Sequence, residues 1–446
     1  MSKLPSSFTD HVTRAAWEED GALTAFGIYS FLAAAVISAI ALDVANLMSA
    51  KNQLQVAADT AAHAALYYRD EHDADISKEK AIEAATFGMP SSNYGVVLDA
   101  DDIQYGDWDY ETLTFTPNDT SRNATLVTTS RMSDKSNSVA SLLFQLVGMS
   151  DFDVVNSAVF ATFRPTCFRE GIVGDDIVDI QSNNGFSNGF CLHSNTHVEV
   201  NNNNTFEAGT IVSMPNEDDL VLPRSGFELN DGLQAALRSG YYRPRILDKM
   251  EDIFEILQDE FATDTYGWVP DYITYRAPIS LDSAGTTLDE TDFTVGRIHT
   301  KHCTGSGKVT ISPSVPLEEI VFISDCETKI SNGSVLINVV IATTDTSSTS
   351  INTPSSLQVG DDDNCAPGGG AQLLTMGGMK FAAGLMLYGG QLIAQGDIDF
   401  TANADGIEGA SMVAGGMVDG ESNMEMAFCG TGMEDNYVAE YFRLAL

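Results

Sequence analysis

Ala22 to Leu42 is an uninterrupted run of 21 uncharged, mostly apolar residues, bounded by Glu18, Glu19 and Asp20 on one side and Asp43 on the other. At about 1.5 Å per residue, a helix of this length covers roughly 30 Å, the thickness of a bilayer core. Residues 21–42 are therefore expected to form a transmembrane helix. Ala39-Ile40-Ala41 has the small-x-small form of a signal-peptidase site. The stretch is nevertheless longer than a signal peptide's apolar region, and the residues before it are dominated by acids, with only Lys3 and Arg14 basic. The helical pattern continues past the apolar run, because no Gly or Pro occurs from Asp43 to Asp70. Val44, Leu47, Leu54, Ala57 and Ala61 form a narrow apolar stripe, expected to dock on the domain behind it.

Beyond Pro165 the pattern changes to short β-branched runs broken by Asn, Gly, Asp and Ser. VDIQSNNGF from Val178 and VEVNNNNTF from Val198 repeat the same order of apolar, polar and Asn positions at a spacing of 20 residues. Such a repeat predicts a parallel β-helix. Val178, Ile180, Phe186, Val198, Val200 and Phe206 would face inward, with Asn183 and Asn184 stacked on Asn203 and Asn204 at the corner. An antiparallel sandwich is the alternative. Similar short strands are expected at 309–311, 320–323, 334–342, 396–400 and 416–418. Leu233, Leu237, Ile246, Met250, Ile253, Ile256 and Leu257 fall at helical spacing and predict a helical insertion at about 231–262. The apolar segment 373–390 carries Lys380 and several glycines, so it reads as buried strands, not a second span.

The N-terminal blocks DGALTAFGIYSFLAAAVISAIALDVANL and KNQLQVAADTAAHAAL resemble the corresponding segment of TadE/TadG-like pilus-assembly proteins of the tight-adherence (Flp) system. The resemblance extends over roughly residues 18–164. It implies a strand, a helix and a strand through DIQYGDWDYETLTFTP, NATLVTTSR and LLFQLVGMSDFDVVNSAVFATF. A processed, polymerising member would carry a glutamate five residues after Gly21, where this chain has Phe26. The resemblance therefore implies the permanently anchored, TadG-like type. Asp134, Ser136 and Ser138 match the D-x-S-x-S string of a von Willebrand A metal site, but Arg131 interrupts the strand before them. They read as a loop with Ser133 or Ser136 near a helix N-cap.

Composition narrows the function. Against 63 acidic residues stand 23 basic ones, a formal net charge of −40, which repels phosphate backbones and argues against a nucleic-acid partner. Cys167, Cys191, Cys303, Cys326, Cys365 and Cys429 all lie beyond residue 166. An even number confined to one region suits three disulfides in an oxidising compartment, with the pairing left open. That distribution also orients the chain, with the N-terminus inside and the bulk outside. His193 and His197, with Cys191 and with His299, His302 and Cys303, offer soft ligands, but in no closed zinc spacing. Asp361, Asp362 and Asp363 are the best candidates for a calcium loop. No P-loop, nucleophile elbow or dinucleotide fingerprint occurs.

The expected protein is α+β and mostly β. A cytoplasmic segment, 1–20, precedes the span 21–42, then a helix with a small α/β domain, 43–164, and a β-rich solenoid-like domain, 165–446. It would be no enzyme and need no cofactor beyond possible Ca2+. The expected setting is a bacterial inner membrane, with other pilus-assembly or envelope proteins as partners and an oligomeric state left open. The rival reading is a β-helical carbohydrate-active enzyme or polysaccharide-binding adhesin.

Overall fold

A computed structural model describes residues 20–305 and 307–446, so all of the expected cytoplasmic segment except Asp20 lies outside the described residues. The described residues form two compact units, one of residues 20–163 with 441–446 and the other of residues 164–440.

In the first unit a single helix, α1, runs from Asp20 to Arg69. Its first half exposes apolar side chains on every side, among them Leu23, Phe26, Tyr29, Leu32, Val36 and Ile40. The helix is long and apolar enough to cross a membrane. Its second half buries Ala50, Leu54, Ala57, Ala58, Ala61, Ala65 and Leu66. These small residues at three- and four-residue steps let a second helix, α2 (Ala74–Gly88), and a sheet approach closely. Of the expected docking stripe, Val44 is exposed, whereas Leu47 packs partly buried against this core. Asp73 caps α2 by accepting from the Ile76 N–H.

The sheet places its strands in the order Thr114–Pro117, Ile103–Asp109, Ala124–Arg131, Val154–Phe163 and Tyr441–Leu444, every neighbour antiparallel. The helix expected between strands is only a 3-10 turn, Phe144–Val147. Residues 134–138 form a turn in which Ser136 takes φ 55°, and Ser133 donates to Asp153, not to a helix end. The second unit is inserted in this sheet, since its two flanking strands pair with each other as Tyr441↔Phe163.

The second unit is a parallel β-helix. Val178↔Val198, Ile180↔Val200 and Phe186↔Phe206 stack in register on successive coils, as the 20-residue repeat predicts. The Phe186 and Phe206 ring centroids lie 4.8 Å apart, with the rings stacked nearly parallel in the interior. At the corner the Asn184 N–H donates to Asn204 Oδ1 at 2.8 Å, and the Asn204 N–H to Asn230 Oδ1 at 3.1 Å. Asn203 Nδ2 donates to Asn183 Oδ1. Asn183 and Asn203 adopt φ 64° and 62°, a left-handed conformation that Asn tolerates better than other residues with a Cβ. The segment 373–390 forms solenoid strands, Ala371–Thr375 and Met379–Tyr388.

The coils do not stack in chain order. On one side of the solenoid the parallel neighbours run Leu237–Ser239, Ile211–Met214, Cys191–Ser194, Gly171–Gly174, Ser411–Ala414, Gln391–Ala394 and Ala371–Thr375. From there they continue through Ser334–Thr343, Leu317–Ser324 and Arg297–Lys301 to Tyr275–Ser280. The first coil thus lies in the middle of the stack. Three coils wind away from it, the chain then passes to the far end, and the remaining coils wind back until the last docks on the first. This seam is closed by Glu170, fully buried, which accepts from the Cys429 and Gly430 N–H groups.

The passage to the far end contains the helical insertion. Leu233–Ala236, Arg245–Asp248 and Met250–Gln258 are helical, but Leu237 opens a strand that pairs with Val212, so its helical spacing was coincidental. Ile253, Phe254 and Leu257 are buried against Ile298, Val321 and Val340 on the solenoid's outer surface. All six cysteines are paired, as Cys167–Cys191, Cys303–Cys326 and Cys365–Cys429.

Candidate functional site

The histidines and cysteines singled out as soft metal ligands are occupied otherwise. His193 is buried, and its Nε2 contacts Asn195 Oδ1 at 2.9 Å and its Nδ1 Ser213 Oγ at 2.7 Å. Asn195 Nδ2 donates to Asp175 and to the Tyr242 carbonyl, so its Oδ1 faces the imidazole and can only accept. His193 therefore donates from Nε2 and accepts the Ser213 hydroxyl at Nδ1, leaving no lone pair for a metal. Burial pushes its pKa down and keeps it neutral. His197 pairs with Glu199 at 3.0 Å, and exposed His302 contacts Asp325 at 3.4 Å. Cys191 and Cys303 are held in disulfides and offer no thiolate.

Asp361 and Asp363 line a small hollow with Cys365, Tyr388, Glu408 and Gly432. Asp362 is exposed and does not line it. Asp363 already accepts the Ala366 N–H at 2.9 Å, and sulfurs of the Cys365–Cys429 disulfide adjoin Glu408. What remains is carboxylates with solvent access, the donor type that suits a hard cation.

A second arrangement has no counterpart in the sequence reading. On one face of the solenoid, in-register pairing lines up Glu199, Asp179, Asp419, Asp399 and Lys380 on successive coils. Lys329 follows at one further remove, beyond Asn352. Parallel stacking holds such neighbours about 4.8 Å apart, so four carboxylates in sequence repel one another. Burial, then Asp419, Glu199 and Glu421, pushes the Asp179 pKa up to about 6. Burial and Asp399 also raise Asp419, one of whose carboxylate oxygens is buried with no hydrogen-bond partner among the described residues. Lys380 forms an ion pair with Asp399 and so compensates one end of the row. At the other end Gln181 donates to Asp179, and Asn201 donates to Gln181. The 20-residue repeat stacks Glu199 on Asp179, but the row as a whole is invisible in the sequence because its halves, from residues 179–199 and 380–421, join only across the seam.

Two family comparisons match. Residues 171–430, more than half of the chain, match the family described as Domain of unknown function (DUF7867), which spans the coils on both sides of the seam. The chain belongs to the DUF7867 family. Residues 21–74 of this DUF7867 protein match the family described as Putative Flp pilus-assembly TadE/G-like, as the sequence of α1 led us to expect. No curated protein and no solved structure matches it.

The carboxylate row gives a pH-dependent expectation. Folded Asp179 has its pKa pushed up to about 6 from the ordinary 3.8 of an aspartate, so below about pH 4 both folded and unfolded states hold the proton. As pH rises from there through 6, the folded state keeps a proton that the unfolded chain has lost, and stability falls. Asp179→Asn should therefore leave stability unchanged near pH 4 and raise it near pH 7.5. A shift of about two units bounds the gain near 3 kcal/mol, which solvent and salt reduce to about 1–2 kcal/mol. Thermal melts at the two pH values check this; an equal effect at both would mean that charge repulsion is not the cause.

Proposed function

We propose that this protein is a permanently anchored, non-enzymatic component of an Flp pilus-assembly system. It would sit in the inner membrane with residues 1–20 inside and present its β-helix on the extracytoplasmic side to pilus or envelope components. The observation that carries this reading is the continuity of α1. One helix holds most of the TadE/G-like match, exposes apolar side chains all round through its first half and packs into a folded unit through its second. Phe26, in place of a glutamate, argues against release and polymerisation as a pilin. Three disulfides suit the extracytoplasmic side.

Deleting the gene in a piliated host should remove or sharply reduce Flp pili, and restoring the full chain should recover them. A chain lacking residues 21–42 should leave the membrane fraction and fail to restore pili. Normal piliation without the protein, or recovery of a soluble chain beginning at Leu42, would defeat the proposal.

The second reading, a carbohydrate-active solenoid, is favoured by Asp179. A carboxyl that keeps its proton to about pH 6 in a row of other carboxylates has the makings of a general acid. Release of sugar from an envelope polysaccharide by the wild type, and none by Asp179→Asn, would move the assignment to that class.

A further inference from the structure

The segment between the strands Val139–Ala140 and Asp151–Phe152 is as free of charge as the spanning helix: no ionisable residue occurs from Ser136 to Ser150. Its core, Leu142-Leu143-Phe144-Gln145-Leu146-Val147-Gly148-Met149, is almost wholly apolar. A globular domain would normally turn such a segment inward. Here Leu142 and Met149 are each 51% exposed.

The segment has a fixed position along α1. The Asp43 carboxylate accepts the N–H groups of Leu142, Leu143 and Phe144, the last two at 3.0 and 2.7 Å, and Asn46 Nδ2 donates to the Ala140 carbonyl at 3.0 Å. Asp43 is the first charged residue after the apolar run, one residue beyond Leu42. Three backbone donors satisfy its charge, and in doing so they hold the loop within about one helical turn of the hydrocarbon boundary.

We propose that residues 142–149 rest in the headgroup and upper acyl region of the leaflet from which α1 emerges, giving the unit a second, non-spanning contact with the bilayer. The proposal rests on the reading that residues 21–42 span the membrane, with which this surface is continuous. The lipid surface is the occupant the chemistry favours. Leu142 and Met149 offer exposed apolar side chains and the segment carries no cation, so its contact draws on buried apolar area and not on attraction to anionic headgroups. It should therefore be insensitive to anionic lipid content and to salt. A single helix leaves its domain free to swivel about the helix axis, whereas a helix with a loop beside it fixes which side of the domain faces the membrane.

The test uses the full chain reconstituted in phosphatidylethanolamine–phosphatidylglycerol vesicles. All six native cysteines are in disulfides, so one added cysteine carries the only free thiol for an environment-sensitive fluorophore. Four variants are compared: Leu142→Cys, Met149→Cys, Ile37→Cys within the apolar run, and Leu113→Cys. Leu113 is 67% exposed, on the hairpin whose Tyr110 hydroxyl reaches the Thr162 carbonyl, at the opposite end of the Val154–Phe163 strand from Asp153. Lipids brominated high on the acyl chain should quench the probes at 142 and 149 at least threefold more than the probe at 113, with no change between 10% and 40% phosphatidylglycerol or on adding salt. Adding Leu142→Asp to the Met149→Cys chain should at least halve the quenching there. Quenching at 37 with none above the Leu113 level at 142 and 149 would overturn the proposal while leaving the anchor intact. An unquenched probe at 37 would overturn the spanning helix, and the loop contact with it.

Discussion

Replacing Val200 by aspartate is expected to abolish folding of the solenoid around its second coil. Val200 is 2% exposed, sits in register with Ile180, and donates its N–H to the Val221 carbonyl. Its side chain belongs to the continuous apolar interior that includes Phe186, Leu192, Phe206 and Val212. A carboxylate there has no cation or donor to meet it, and the methyl groups it displaces lose their burial. Together these cost about 4 kcal/mol or more, a large share of the stability of an ordinary domain. Asn202→Asp, two residues on at the half-buried corner, should cost under about 1 kcal/mol. Urea unfolding followed by circular dichroism distinguishes them: similar midpoints would mean that the interior at Val200 tolerates water, against the packing described.

The second large effect is expected at the seam. Cys365–Cys429 ties residues 64 apart in sequence, and a cross-link closing a loop of that length lowers unfolded-state entropy by the equivalent of about 4 kcal/mol. It also holds the Cys429 and Gly430 N–H groups over the buried carboxylate of Glu170. The double replacement Cys365→Ser/Cys429→Ser should lower the melting temperature by about 10 °C and make the segment after residue 428 the first site of proteolytic cutting. A shift below about 2 °C would show that Glu170 and the pairing of Ser411–Ala414 with Gly171–Gly174 hold the last coil unaided.

Which parts of this architecture the sequence discloses follows from the range of the interactions involved. The coil pair at 178–186 and 198–206 is legible because both members are adjacent in sequence and both the inward apolar positions and the corner Asn positions repeat. The anchor is legible because a bilayer imposes a length and a polarity on consecutive residues. The seam is not, since Gly171–Gly174 meets Ser411–Ala414 across some 240 residues, and neither strand carries a mark of its partner. The carboxylate row disappears for the same reason, in a chain where 63 acids make any single aspartate unremarked. Leu237 misleads because short helices and a strand share one segment, so a residue at helical spacing from its neighbours falls outside the helix that they form. Disulfide connectivity follows the fold, not the spacing: the Cys365–Cys429 pair becomes evident only once the last coil is known to return.

The central position of the first coil changes what happens when the protein is pulled. A solenoid whose chain begins at one tip can be peeled, since tension on the terminal coil opens one row of hydrogen bonds at a time. Here both connections leave from the interior of the stack, at residues 164 and 440, where Arg164 and Glu440 form an ion pair at 2.9 Å. Any load between membrane and solenoid divides over two covalent strands. Extracting the coil that starts at Gly171 would mean breaking its pairing with Cys191–Ser194 and with Ser411–Ala414 at the same moment. The coils at the two tips carry no chain connection to the first unit, whereas the connected middle coil is held by paired strands on both sides and resists unravelling.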